Sequence, residues 1–403
     1  MKILLLRFAP VQYDRERHNL VYFPCSWRRL INQYPQTGTA LFPDCDFRRR
    51  KITTSNSSSK DSPNNDSPNN GSPSKDWKRI LPGLIVSAIS LAVVFYIADI
   101  RLLVEALRLA DYRLVAVAGL LAVVWLGVRA IVWRTLLQEK ATYKQVFSTV
   151  NEGYLLNNIL PFRLGEVARA FLLSEKAALS FWEVFSTILI ERALDVAFAA
   201  GLLLSTLSFV VGASWAWQAA VGTITLVLAG LAALYLLARN QEWALTQFEK
   251  LTSRLAVLNR IGRTQLPRFI SGLSVLTDTG RFLRTIAWMI VNWGIALVQY
   301  YLLLLAFFPN GEFLWAAFSL AVTALGIGAP SSPGAVGVFE LATVAALSVF
   351  GLSTSTALAY ALTAHLLNYL ITGVLGAYAL ARDGETISGL YYRLRRIPGN
   401  EAA

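Results

Sequence analysis

The sequence predicts an all-α polytopic membrane protein, with six spanning helices and two re-entrant hairpins (about eight hydrophobic segments) in an inverted repeat. Three observations carry this. Only 15% of the residues are charged, with mean hydropathy +0.48, whereas a soluble domain carries about 25%. Six apolar runs reach the roughly 20 residues that a helix needs to cross a bilayer. Two more apolar stretches are broken by Pro and Gly, and each holds a carboxylate at hydrocarbon depth. Broken backbone survives there only where protein or a water-filled cavity receives its N–H and C=O groups.

Taken from the N-terminus, residues 1–78 read as a disordered, low-complexity region or a misassigned start. Thr53–Lys75 is rich in Ser, Asn, Pro and Asp, and SPNN occurs at Ser62 and again at Ser67. The two cysteines, Cys25 and Cys45, fall in this region, so no disulfide or metal framework supports the rest. Residues 79–382 form the membrane domain, and 383–403 a basic tail.

The spans are Ile80–Ala98, Leu114–Val132, Val184–Val211, Trp215–Ala238, Thr285–Phe308 and Thr356–Ala381. Their loops set the orientation. Arg239–Arg284 holds eight Lys/Arg against three acids, and Arg393, Arg395 and Arg396 follow the last span, while Ser208–Ser214 and Gly351–Ser355 hold no charge. The positive-inside rule then puts the basic loop and both termini in the cytoplasm, with the protein in the plasma membrane. The net charge of +12 reads as this asymmetry and not as nucleic-acid binding. Within the basic loop, Trp243, Phe248, Leu251, Leu255 and Leu258 recur at helical spacing between cations. Such a helix either lies on an anionic leaflet or covers the end of the bundle.

The first broken stretch, Val146–Leu173, begins and ends inside, and the second, Phe313–Phe350, begins and ends outside. The legs of the second are about 15 residues, or ~22 Å, short of the ~30 Å hydrocarbon core. Each half is therefore span, span, hairpin, span, entering from opposite sides. Eight short spanning helices joined by tight turns are the alternative.

In the first stretch Pro161 and Gly165 shape the tip. Gly165 is expected to let the chain turn and start a helix at Glu166, whose N-terminus offers N–H groups to an anion. Arg163 lies in the tip as a headgroup contact. Arg169 either adds its charge to this substrate site or snorkels toward the headgroups, and Arg129 of the second span is expected to snorkel. Glu166 either caps its own helix, takes part in proton coupling or contacts ligand. In the second stretch Pro330, Pro333, Gly334 and Gly337 set the shape, Ser331 and Ser332 could hold a polar headgroup, and Glu340 has no local counter-charge. His365 shares a face of the last span with Asn368 and Tyr369 and reads as a hydrogen-bonded packing residue. The densest charge is Glu191-Arg192-x-x-Asp195 in the third span, either one wall of a substrate cavity or a structural ion pair.

NNILPFRLGEVARAFLL at Asn157–Leu173, the Glu191–Asp195 cluster and APSSPGAVGVFE at Ala329–Glu340 together resemble the flippase-like transmembrane domain of the lysylphosphatidylglycerol synthase family. The resemblance covers about Lys78 to Arg382. It implies a membrane protein that moves, or helps to move, a lipid with a charged or sugar headgroup, and an anionic or sugar headgroup is the expected partner. Full-length synthases transfer an aminoacyl group with a separate soluble domain. About 20 residues follow Arg382 here, so that activity is not expected of a stand-alone member. No nucleophile–base pair, metal-ligand set or nucleotide-sugar motif is evident, and no cofactor or metal is expected. The alternatives are a membrane-embedded lipid-modifying transferase, or a non-catalytic partner of a separate lipid-modifying enzyme.

Overall fold

A computed structural model describes residues 74–160, 163–207, 209–210, 214–252, 256–328, 332–386 and 389–390. The readings for residues 1–73 and 391–403, and for Pro161, Pro330 and Ser331, lie outside these. Among the described residues the chain is helical, without strands. Residues 74–78, assigned above to the low-complexity region, belong to the first helix.

That helix, α1 (Ser74–Ile97), meets α2 (Ile100–Leu109) at an 86° bend. Asp99 makes the corner by accepting hydrogen bonds from the N–H groups of Arg101 and Leu102. Asp111 caps α3 (Tyr112–Leu136) in the same way. A capping box between Thr142 and Gln145 opens α4 (Tyr143–Ile159), which stops before Pro161, and α5 (Leu164–Ala177) follows. Next come α6 (Phe181–Leu207), α7 (Ser214–Arg239), α8 (Gln241–Thr252) and α9 (Ala256–Leu273). Asp278 caps α10 (Thr279–Phe307), and α11 (Phe313–Gly326), α12 (Val338–Ser348) and α13 (Thr354–Arg382) complete the chain.

Among the described residues, four helices are long and apolar enough to cross a membrane: α3, the 221–239 stretch of α7, α10 and α13. The bent α1–α2 pair makes a fifth if it counts as one span. The expected six is reduced because every 18-residue stretch of the 27-residue α6 contains Glu191, Arg192 and Asp195.

Both broken stretches are pairs of short helices that pack on each other, α4 with α5 and α11 with α12. At 1.5 Å per residue these legs run from about 17 to about 26 Å. Contacts around them are reciprocal. Helix α3 lies against α10, α4 packs on α13, and α11 packs on α6. Inside each set the pairs also match: α3–α4 with α10–α11, and α5–α6 with α12–α13. The segments α3–α6 and α10–α13 thus show several matching helix contacts. The apolar core crosses this division: Leu203 and Leu207 of α6 cluster with Phe318 of α11 and Ala346 of α12. A second cluster centres on Trp133, Leu136, Val184 and Ile188, and a third on Phe307, Phe339, Leu358 and Tyr360.

The basic loop folds as α8 and α9. Phe248 of α8 lies so close to Gly262 of α9 that any side chain there would strike its ring, and α9 packs on α6 and α7. Trp243 and Leu251 remain exposed on α8.

Candidate functional site

Three helices, α3, α5 and α6, bring charge into the interior of the α3–α6 segment. Glu191 of α6 is fully buried and receives three arginines. Arg129 of α3 lies at 2.6 Å, Arg169 of α5 at 2.7 Å, and its own neighbour Arg192 at 2.7 Å. Asp195, one turn on, takes both Nη atoms of Arg129 and lies 3.3 Å from Arg192. Glu166 of α5 lies 3.6 Å from Arg192 and 3.8 Å from Arg169. Three guanidinium groups thus meet three carboxylates, and the cluster is neutral without any ligand. The Arg169 guanidinium also stacks 4.1 Å over the Trp133 ring.

This corrects three expectations. Arg129 and Arg169 do not snorkel: both are buried, because Glu191 offers each a counter-charge that headgroups would otherwise supply. Glu166 does not cap α5, whose N-terminus has no side-chain cap. Its Oε1 instead accepts from Asn157 across the hairpin. The cluster has a dry side, Glu191 with Arg129 and Arg169, and an accessible side. Arg192 is 30% exposed, with Asp195 and Glu166 part-exposed beside it. Nε of Arg192 has no hydrogen-bond partner.

At the first tip the turn falls to Arg163 and not to Gly165. Arg163 adopts a left-handed conformation (φ 54°), which is costly for a residue with a Cβ. Gly165 has no positive φ and serves close packing, since a Cβ there would lie 2.3 Å from the Gly153 carbonyl oxygen. The exposed Arg163 guanidinium donates to the carbonyl of Ile327, at the end of α11. The first tip therefore touches the second hairpin. Asn158 joins the same region to α13 by donating to Thr372 at 2.9 Å.

At the second tip Glu340 does have a counter-group. Its Oε1 lies 2.6 Å from Nδ1 of His365, and its Oε2 accepts from the Gly337 N–H at 2.7 Å, closing the cap of α12. Nε2 of His365 faces the Gly334 carbonyl at 3.0 Å, and the Tyr369 hydroxyl donates to the Pro333 carbonyl. Gly334 (φ 67°) and Gly337 (φ 87°) hold left-handed backbone, and a Cβ on either would collide with Tyr369 or with the Ser87 carbonyl of α1. Ser332 is engaged internally: its N–H donates to Ser87 and its hydroxyl to the Val336 carbonyl.

One cluster escaped the sequence reading. Lys176 of α5 bridges the buried Glu152 of α4 (2.6 Å) and Asp383, just beyond α13, and Ser148 donates to Asp383 at 2.9 Å. Burial raises the Asp383 carboxyl, but the hydrogen bonds from Lys176 and Ser148 outweigh it and hold it at about 2. The available signal was Glu152 itself, a carboxylate inside the first apolar stretch. Among the described residues, no group of three His, Cys, Asp or Glu side chains is placed to hold a metal.

Long apolar helices, paired short helices with facing tips and a buried charge cluster define a multi-pass membrane domain. Residues 80–376 match the family described as the lysylphosphatidylglycerol synthase TM region, and the chain belongs to that family. No curated protein and no solved structure matches it.

Proposed function

We propose that this protein moves, or helps to move, a lipid with an anionic or sugar headgroup across the plasma membrane. In this reading α1, α3, α6, α7, α10 and α13 cross the bilayer, and the two hairpins enter from opposite faces to meet near its middle, with both termini in the cytoplasm. The observation that carries it is the bond from Arg163 to the Ile327 carbonyl, which joins the two tips. Beside that junction lie the uncapped N-terminus of α5 and the accessible edge of the charge cluster. A headgroup phosphate would displace Arg163 from a neutral carbonyl, a stronger partner for a guanidinium. It would also accept from Arg192, with the α5 N–H groups behind it. Glu191, Arg129 and Arg169 serve here as the rigid wall. Helix α8, with Trp243 and Leu251 outward, lies on an anionic leaflet in the same arrangement.

The test is translocation of a fluorescent phospholipid analogue by purified protein in liposomes. Arg163→Gln removes a charge from an exposed tip and should slow translocation while leaving the fold intact. A variant that folds normally and moves the analogue as fast as the parent would show that the tips do not handle the headgroup.

A further inference from the structure

We propose that His365 and Glu340 form a proton-binding site that fastens the tip of the second hairpin, and that a proton is the ion exchanged during transport. The second clause rests on the transport reading above; the first does not. A carbonyl oxygen only accepts hydrogen bonds, so Nε2 must carry hydrogen to bond the Gly334 carbonyl at 3.0 Å. On the other side of the ring, Nδ1 stands 2.6 Å from Oε1 of Glu340, a separation that requires a proton between two lone pairs. That proton belongs to the imidazole, giving imidazolium and carboxylate, or to the carboxyl, giving neutral imidazole and acid. Both arrangements hold one proton more than a neutral histidine beside a carboxylate.

Removing it breaks one of two anchors. If the remaining hydrogen stays on Nε2, the Nδ1 lone pair faces the carboxylate. If it moves to Nδ1, the Nε2 lone pair faces the Gly334 carbonyl. The step is protonated dyad to dyad plus H⁺, with no redox change. The tip has a direct stake in the outcome, because Gly334 and Gly337 are held by the two members of the dyad. His365 and Glu340 are both buried, and Phe339 stacks on the imidazole at 4.4 Å. Tyr369 is the titratable neighbour, edge-on to the ring at 4.8 Å. Of the other elements packed on this hairpin, α1, α11 and α4 contribute uncharged groups, Ser87 bonded to Ser332, Thr323 bonded to Thr343 of α12, and Asn158 bonded to Thr372, while the residue before α5 contributes the charged Arg163. Among the described residues, neither dyad member has a second ion pair. Arg163 reaches the same hairpin at Ile327, so the tip that the proton fastens is the one the first hairpin touches.

The chain has two histidines, and His18→Gln leaves His365 alone for nitrogen-15 NMR in nanodiscs. The expected result near neutral pH is either both ring nitrogens protonated or Nε2 protonated beside an un-ionised Glu340. An unprotonated Nδ1 together with an ionised Glu340, read from the carboxyl carbon, would overturn the site. The second arm uses liposomes and the lipid analogue. One proton per cargo gives roughly tenfold accumulation per pH unit of gradient, since one unit is about 1.4 kcal/mol. His365→Gln that elutes as a single species should lose this dependence. A parent that translocates without regard to the gradient would overturn the coupling and leave the transport reading standing. A parent that moves no analogue would overturn transport and coupling together, whichever way the NMR arm decides the site.

Discussion

Glu191→Gln is the perturbation that best separates structural from accessible charge. Glutamine keeps the shape and one acceptor oxygen but removes the only carboxylate that all three arginines share. Arg129 retains its two bonds to Asp195, whereas Arg169 is left with Glu166 at 3.8 Å. The buried cluster then holds one excess positive charge. Breaking a buried pair by removing one partner costs about 3–5 kcal/mol, because the other charge stays desolvated. At about 2–4 °C per kcal/mol for a domain of 150–250 residues, the melting temperature should fall by about 6–20 °C. Lys140→Gln is the internal reference. It breaks the part-exposed pair with Glu183, and surface pairs contribute at most about 1 kcal/mol. Adding Arg169→Met to Glu191→Gln removes the excess charge, so the double variant should lie about 1–3 kcal/mol above the sum of the singles. Melting is followed as loss of the monodisperse peak after heating in detergent. A Glu191→Gln protein that melts no lower than Lys140→Gln would mean that the arginines are satisfied without Glu191, and the dry side of the cluster would lose its role as a wall.

Three further outcomes are expected. Gly165→Ala places a methyl group 2.3 Å from the Gly153 carbonyl and should force α4 and α5 apart, sharply lowering the yield of folded protein. Gly201→Ala in α6 meets nothing within 4 Å and should be neutral or stabilising by up to about 1 kcal/mol; equal yields would refute the close-packing role of Gly165. Asp383 contributes stability above its unfolded value of 3.8, and this is lost as pH falls toward about 2. Asp383→Asn should therefore flatten the acid limb of a detergent melting profile, and an unchanged limb would remove the Lys176 bridge as its cause. With Cys25 and Cys45 replaced, a cysteine at Glu312 should label from outside intact cells and one at Asn240 only after permeabilisation, and the reverse pattern would invert the orientation.

The parts of the fold that could be read from the sequence are those with a local cause. Pro161 and the Pro333–Gly337 run interrupt apolar stretches wherever the chain goes, so the two breaks, after α4 and before α12, were visible. Helix α2 left a local signal too, the Asp99 cap before an amphipathic turn, but at 10 residues it falls below any spanning window. The pairings that decide burial had no such signature. Arg129 meets Asp195 across 66 residues, and His365 meets Glu340 across 25. Without those contacts, Arg129 looks like a residue that needs headgroups and Glu340 like a lone carboxylate. Gly165 was misread for a related reason: a single glycine signals freedom, and only the neighbouring helix reveals whether that freedom is used for a turn or for close approach.

The segments α3–α6 and α10–α13, the two repeats of the proposed arrangement, share little sequence beyond Pro-x-x-x-Gly at Pro161 and Pro333, yet most of their helix contacts correspond. Reciprocal packing constrains helix length, break position and apolar surface, and many residues satisfy those demands. Chemistry is constrained separately in each repeat. In the first, arginines and carboxylates surround a tip that carries a full positive charge. In the second, the tip carries no basic residue of its own and is held by His365 of α13 together with Glu340 of α12. In the function proposed above, a scaffold with matched halves would present an anion-attracting tip to a tip whose hold depends on a proton. Substitutions that exchange charge between the tips should therefore leave folding largely intact while abolishing function, because symmetry lies in the packing and asymmetry in the groups that face each other.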